Sequence, residues 1–353
     1  MFGKSRFPLA VDIGSYAVKL VQFEHKKKKL ALKRLGMASM APGAVAEGLI
    51  RDPEEVMRAF EELVAAEKAK EREVVVALSG SAAVVRPVRI PSDAALPVEE
   101  AIEAEAAQIL PFPVEEARLS HSRMGRVEAE GKRMEEFLLV AVRRKPLAEL
   151  VELFRHIEYE PKIVDVALLA LEGAVELAGI GEAGESIALV DVGASQTLVH
   201  LLRSGRTLLT RVIPYGGAAV TAALAKSLKV SPSDAEAMKL GTKPVSSPRA
   251  AAEAVRGEAE RLGLELGRTF QLLGEMLPGE RITRLVLCGG GVHLEGLPAF
   301  LATSLDIPAK ILQPFRNVQV APETFDPQYV EALGPVAAVA AGLAYRAMEE
   351  DEE

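Results

Sequence analysis

The stretch VDIGSYAVKLVQFE at residues 11–24 is answered by VDVGASQTLVHLLR at residues 190–203, an offset of 179. Each copy reads as a β-strand that ends in Asp-φ-Gly (φ being an apolar residue) and turns into a second strand. Such a tip brings together a carboxylate, a glycine without a side chain and backbone N–H groups free to meet phosphate oxygens. One Asp-x-Gly turn is common in hairpins. Two in matching places of two half-domains make a clamp for a polyphosphate. The repeat also predicts a duplicated domain, because no shorter period of 20–50 residues runs through the chain.

The chain has 353 residues, room for two domains or one bilobal unit. Hydrophobic residues make up 49% and charged residues 26%, an ordinary globular balance. Trp is absent and aromatics are 5%, so the cores must be built from Ala, Val, Leu and Ile. A net charge of −8 argues against broad nucleic-acid binding, which needs clustered Lys and Arg. The run Lys26–Lys29 reads as a solvated hairpin tip. The single cysteine, Cys288, suits a reducing compartment and reads as a small core residue. No apolar run approaches the ~20 residues of a membrane span. The expected location is the cytoplasm.

The pattern of elements is α/β. A third strand is expected around Leu30–Gly36, then a helix capped by Asp52 with Pro53 in its first turn and Val56, Phe60, Leu63 and Val64 on its apolar face. EVVVAL (73–78) follows as a buried strand. Prolines then punctuate residues 87–161, which read as a small α+β insert with a Glu/Ala-rich helix over 98–110. Strand and helix return with PKIVDVALLALEGAVELAG. The second half repeats the order of the first: strands, a helix, a helix start at Ser231–Pro232, a long helix over 251–276, a strand, and a last helix before the acidic ending MEEDEE.

A third motif, LVLCGGGVHLEGLP at 285–298, takes a buried strand into three glycines and a helix start. Gly289, Gly290 and Gly291 let the backbone approach a flat base or ribose. Converging carboxylates at Asp12 and Asp191 would repel unless a cation lay between them, and Mg²⁺ keeps its waters while sharing carboxylates and phosphates.

With these motifs the sequence resembles the actin-like ATPase superfamily end to end. DIGSYAVKL is similar to its first phosphate motif, DVGASQTLV to its second and CGGGVHLEGL to its adenosine motif; VDVALLALEGAV and GPVAAVAAGLA are similar to its two connecting helices. The position of the insert and the segment VIPYGGAAVTAALAKSLKVSPSDAEAMKLG (212–241) point to the branch of FtsA and the type IV pilus protein PilM. EAIEAEAAQILPFPVEEARLSHS (100–122) resembles the PilM family in particular.

The resemblance implies an actin-like, ribonuclease H-like duplicated fold. Its first lobe would span 1–86 with 162–185 and 333–347, its insert 87–161 and its second lobe 186–332, of which about 226–283 forms a smaller part. It implies ATP and Mg²⁺ as cofactors, the metal held through water by Asp12 and Asp191. Gly14, Ser15 and Lys19 would form the first phosphate loop, Gly193, Ser195 and Thr197 the second, with Gly216 and Gly217 at a helix N-terminus facing phosphate. Tyr16 is bulkier than the residues usual in such a loop. Glu265 and Arg268 resemble a Glu-x-x-basic pair beside ribose and base, and equally fit a helix ion pair. Asp165 or Glu172, on an otherwise apolar connecting helix, would orient the attacking water, so turnover is expected to be slow at most.

The implied partners are the N-terminal peptide of the membrane protein PilN, docking between first lobe and insert, and other platform and motor proteins of the pilus. Ile109, Pro111, Phe112 and Pro113 are the expected partner-binding residues. Membrane contact is expected through the partner alone, since the acidic ending would be repelled by an anionic leaflet. The alternatives are an FtsA-like filament protein and a small-molecule kinase of the same fold.

Overall fold

Apolar strands rich in Val, Leu and Ile build two five-stranded sheets with one shared topology. The computed structural model describes residues 7–27, 29–93, 96–129 and 131–352, so Lys28 of the lysine run and Glu353 of the acidic ending lie outside the described residues. In the first sheet the central strand Leu9–Ile13 pairs antiparallel with Ala17–Lys26, which pairs with Lys29–Ser39. On its other side it pairs parallel with Glu73–Leu78, and Glu160–Val166 forms the edge. The second sheet repeats this: Ser186–Val192 at the centre, Thr197–Arg203 and Arg206–Ile213 antiparallel to one side, Arg284–Cys288 and Ala309–Ile311 parallel on the other. The duplication read from two hairpins therefore extends to whole sheets.

Helix starts follow local chemistry. Asp52 Oδ1 accepts from the Glu55 N–H at 3.1 Å and opens the helix Pro53–Ala66, whose Val56, Phe60 and Leu63 are buried. Ser231 Oγ caps Pro232–Lys239 by accepting from the Asp234 N–H at 3.1 Å.

The insert is a three-stranded sheet, Lys132–Arg143 lying between Ala83–Pro91 and Ala117–Ala129, with the helix Val98–Ile109 packed on it through Ile102 and Ala106. The next helix, Arg144–His156, was expected in the insert but packs in the core of the first lobe. Its Phe154 meets Phe60 edge-on at 5.2 Å, and Leu150 and Leu153 join the same cluster.

The connecting helices Ala167–Leu177 and Ala338–Glu352 cross against the first sheet. Their contact is too close for side chains: a Cβ on Gly342 would lie 1.6 Å from the Ala170 carbonyl oxygen, and one on Gly173 would lie 3.1 Å from the Gly342 carbonyl. Replacing Gly342 by Ala must push the backbones apart. The Gly342→Ala variant should lose about 3 kcal/mol of stability, read as a lower urea midpoint. An unchanged midpoint would show that the crossing relaxes freely.

Candidate functional site

The two Asp-φ-Gly hairpins close in the same way, Gly14 N–H donating to the Ala17 carbonyl at 3.1 Å and Gly193 N–H to the Gln196 carbonyl at 3.0 Å. Their tips meet across the lobes, where Ser15 Oγ lies 2.5 Å from Ser195 Oγ. Nearby, Gln196 Nε2 donates to Ser79 Oγ at 2.9 Å, a second bond between the lobes. Between them opens a cleft of about 390 Å³, lined by Asp12, Gly14, Ser15 and Lys19 from one lobe and Asp191, Gly193 and Gly217 from the other. Gly289, Gly290 and Gly291 complete the wall.

The hairpins differ electrostatically. In the first, Asp12 stands opposite Lys19, and Lys19 Nζ donates to Asp12 Oδ2 at 2.8 Å. In the second, the residue opposite Asp191 is Leu198. Asp191 therefore has no cation in its own hairpin. Burial and then the charge of Asp12 push its carboxyl up to about 6, with Lys19 opposing. These are hard oxygen donors with unbalanced negative charge in an open cleft, which suits a water-bound Mg²⁺ beside phosphate. Among the described residues no group of three or more His, Cys, Asp or Glu could hold a metal, so the fit is to a hydrated ion and not to a closed protein cage.

The glycines have distinct uses. Gly289 takes φ +80, and a Cβ there would lie 2.2 Å from Asp191 Oδ1, so this residue frames the carboxylate. At Gly290 a Cβ would meet nothing within 4 Å, which leaves the backbone open to a ligand. Gly216 packs on the second loop, where a Cβ would reach the Gly193 and Ala194 carbonyls.

Several expected site residues lie elsewhere or do other work. Gly216 and Gly217 were expected at a helix N-terminus facing phosphate, but the Gly217 N–H donates to the Gly193 carbonyl at 2.9 Å and the next N–H, of Ala218, to the Ala194 carbonyl at 2.8 Å. They brace the second loop. Thr197 is buried and donates to the Tyr215 carbonyl at 2.8 Å. Glu265 and Arg268 do not line the cleft: Glu265 takes Arg211 at 2.8 Å and Arg268 at 2.5 Å, so the helix ion-pair reading describes them. Neither Asp165 nor Glu172 lines the cleft. Asp165 accepts from Arg346 Nε at 2.6 Å, tying the first connecting segment to the last helix. Glu172 accepts from Thr207 Oγ1 at 3.0 Å and lies 2.9 Å from His200 Nε2. Both carboxylates serve contacts within the fold.

The residues that sequence reading missed are Glu236 and Lys239, which line the cleft. Lys239 Nζ has three acceptors, the Gly217 carbonyl at 3.2 Å, Thr221 Oγ1 at 2.9 Å and Glu236 Oε2 at 2.7 Å. Its protons are used, and they hold Glu236 so that Oε1 is left to accept from a ligand. The signal was present, because 236–239 is also a Glu-x-x-basic pair, in the segment that follows the second hairpin.

On the insert, Pro111 and Pro113 are exposed, while Phe112 is buried under the Arg143 guanidinium at 4.6 Å. Ile109 lines a groove of about 1230 Å³ that runs between insert and second lobe, with Arg86 and Arg89 on one wall and Arg206–Arg211 and Leu272 on the other. This groove beside the insert faces the second lobe and not the first.

Comparison with known proteins follows from this geometry. Residues 10–348 match the family described as type IV pilus assembly protein PilM. The chain belongs to that family. A solved PilM–PilN type IV pilus biogenesis complex contains a chain 29% identical, with a TM-score of 0.83, over 96% of this chain and 98% of that one. MreB5 of Spiroplasma citri bound to AMPPNP superposes at 0.54 over 99% of this chain with 13% identity, a likeness of fold. The cell division protein FtsA of Bacillus subtilis (strain 168) is 26% identical over 200 residues, 49% of this chain and 43% of that relative, so the match spans less than half of either. The fold is actin-like, and the protein is a pilus-assembly member of it. Among the described residues no helix is long and apolar enough to cross a membrane.

The raised Asp191 carboxyl makes a pH prediction. Its proton is held more tightly folded, at about 6, than unfolded, at 3.8, so this group lowers stability as pH rises between those values. The unliganded protein should lose stability from about pH 4 to 6 through this residue. Asp191→Asn should flatten that slope and add roughly 1–2 kcal/mol at pH 7, discounted because the residue borders the cleft. A melt series in which both proteins share one slope would refute it.

Proposed function

We propose that this PilM-family chain binds Mg·ATP between its lobes and acts as an adaptor, docking the N-terminal cytoplasmic peptide of a PilN-type membrane protein against its insert. The observation that carries the nucleotide reading is the meeting of the two hairpin tips, Ser15 against Ser195, above a cleft that holds both aspartates. Lys19 and the second loop would meet the phosphates, and Glu236 Oε1 the sugar hydroxyls. The bound Mg²⁺ would supply charge neutralisation between phosphate and the carboxylates of Asp12 and Asp191.

The partner reading is supported by the PilM–PilN complex, whose PilM-family chain resembles this one over nearly its whole length. Recruitment to the inner membrane, and contact with other platform and motor proteins, would follow from that partner. Hydrolysis is slow on this reading, about 1 s⁻¹ or below, because Asp165 and Glu172 are engaged elsewhere and a general base must lie within hydrogen-bond reach of the water.

Mg·ATP should raise the melting temperature, since a ligand at a hundredfold excess over Kd adds about 2.7 kcal/mol. Asp12→Ala should abolish the shift. No shift in the wild type at millimolar nucleotide would overturn the nucleotide reading. A PilN-type peptide should bind the wild type and lose at least tenfold in affinity on Ile109→Asp, with the ATP shift kept. If that variant keeps its peptide, the insert is not the docking surface.

A further inference from the structure

We propose that Tyr16 is a ligand-contacting residue of the nucleotide cleft, its ring covering the sugar of the bound nucleotide from the first lobe. The inference rests on the nucleotide reading above and adds to it a residue that the motif comparison marked only as too bulky for its loop.

Tyr16 follows Ser15 at the tip of the first hairpin, and its backbone is fixed there by the Met40 N–H, which donates to the Tyr16 carbonyl at 2.9 Å. The side chain lines the cleft and is 37% exposed. It is not alone. Of nine exposed large hydrophobic side chains among the described residues, three line this cleft: Tyr16, Met37 from the same lobe and Leu240 from the other. Exposed apolar side chains from both lobes at the walls of one polar cleft form a sandwich that is incomplete until something flat lies between them. The phenol points to the same conclusion. Tyr215 and Tyr329 donate their hydroxyls to the Glu258 and Leu35 carbonyls, whereas among the described residues the Tyr16 hydroxyl has no hydrogen-bond partner. Across the cleft stands Glu236, close enough that its charge adds to burial in raising the Tyr16 phenol. The ring therefore lies near the carboxylate that has a free oxygen for sugar hydroxyls.

The test is a titration of Mg·ATP into the full chain and into Tyr16→Ala and Tyr16→Phe. Because the chain has no Trp and five Tyr, intrinsic tyrosine emission reports on this ring. Tyr16→Ala should weaken binding roughly three- to tenfold, the range one aromatic contact supplies, with Tyr16→Phe closer to wild type. The emission change on ligand addition should vanish in Tyr16→Phe. Melting of both unliganded variants near the wild-type temperature would show that the hairpin is intact. If the wild type binds and Tyr16→Ala binds within twofold of it, the inference fails while the nucleotide reading stands. If the wild type does not bind, both fall.

Discussion

The crossing of the two connecting helices determines where everything else can sit. With no Cβ at Gly342, the last helix approaches the Ala170 carbonyl more closely than any other residue type allows. Around that contact both helices are almost wholly apolar, with Ala170, Leu171, Ala174, Ala340, Ala341 and Leu343 buried. A chain without Trp and with few aromatics reaches native packing density through short side chains and close backbones. The first connecting helix, Ala167–Leu177, then meets the second lobe, where the His200 Nδ1–H donates to the Leu168 carbonyl at 3.2 Å and Glu172 reaches Thr207. One small-residue crossing thus sets the distance between two sheets whose hairpin tips are in contact.

That placement forces an electrostatic problem and solves half of it. The duplication puts an aspartate at each tip, but only the first copy retains a lysine opposite, so only Asp12 is neutralised within the protein. Asp191 sits against Gly289, half-buried at the cleft and facing like charge. On the proposed reading, a cation with a polyphosphate would relieve this at little conformational cost, because the loops are already braced. Gly217 and Ala218 hold the second loop, Lys239 holds Glu236, and Gln196 bonds across to Ser79. Donors occupied inside the protein do not have to be ordered when a ligand arrives.

Much of this was legible in the sequence because it is written in short-range chemistry. The Asp-φ-Gly repeat at an offset of 179 gave the two sheets, the Asp52 and Ser231 caps gave helix starts, and the triple glycine gave the cleft wall. What could not be read depends on which faces meet. The helix Arg144–His156 has one apolar stripe, and nothing local says that Phe154 will choose Phe60 over the insert. Two Glu-x-x-basic pairs, 236–239 and 265–268, are alike as strings. Only the packing of the second lobe puts the first in the cleft and turns the second toward Arg211. Phe112 reads as a partner-binding residue between two prolines, yet it is buried and Arg143, from a strand some thirty residues on, lies over its ring.

The fate of Asp165 and Glu172 bears on what the fold is used for. An actin-like ATPase needs a polar group from its helices aimed at the attacking water, and the two candidate carboxylates, Asp165 and Glu172, are spent on internal contacts. Asp165 is locked to Arg346, and Glu172 to Thr207 and His200. Glu172 belongs to a buried polar group in which His200 Nε2 also lies 3.0 Å from Thr207 Oγ1. Held in these contacts, neither group faces the cleft. In this chain Asp165 ties two parts of the first lobe together, and Glu172 reaches across to Thr207 of the second.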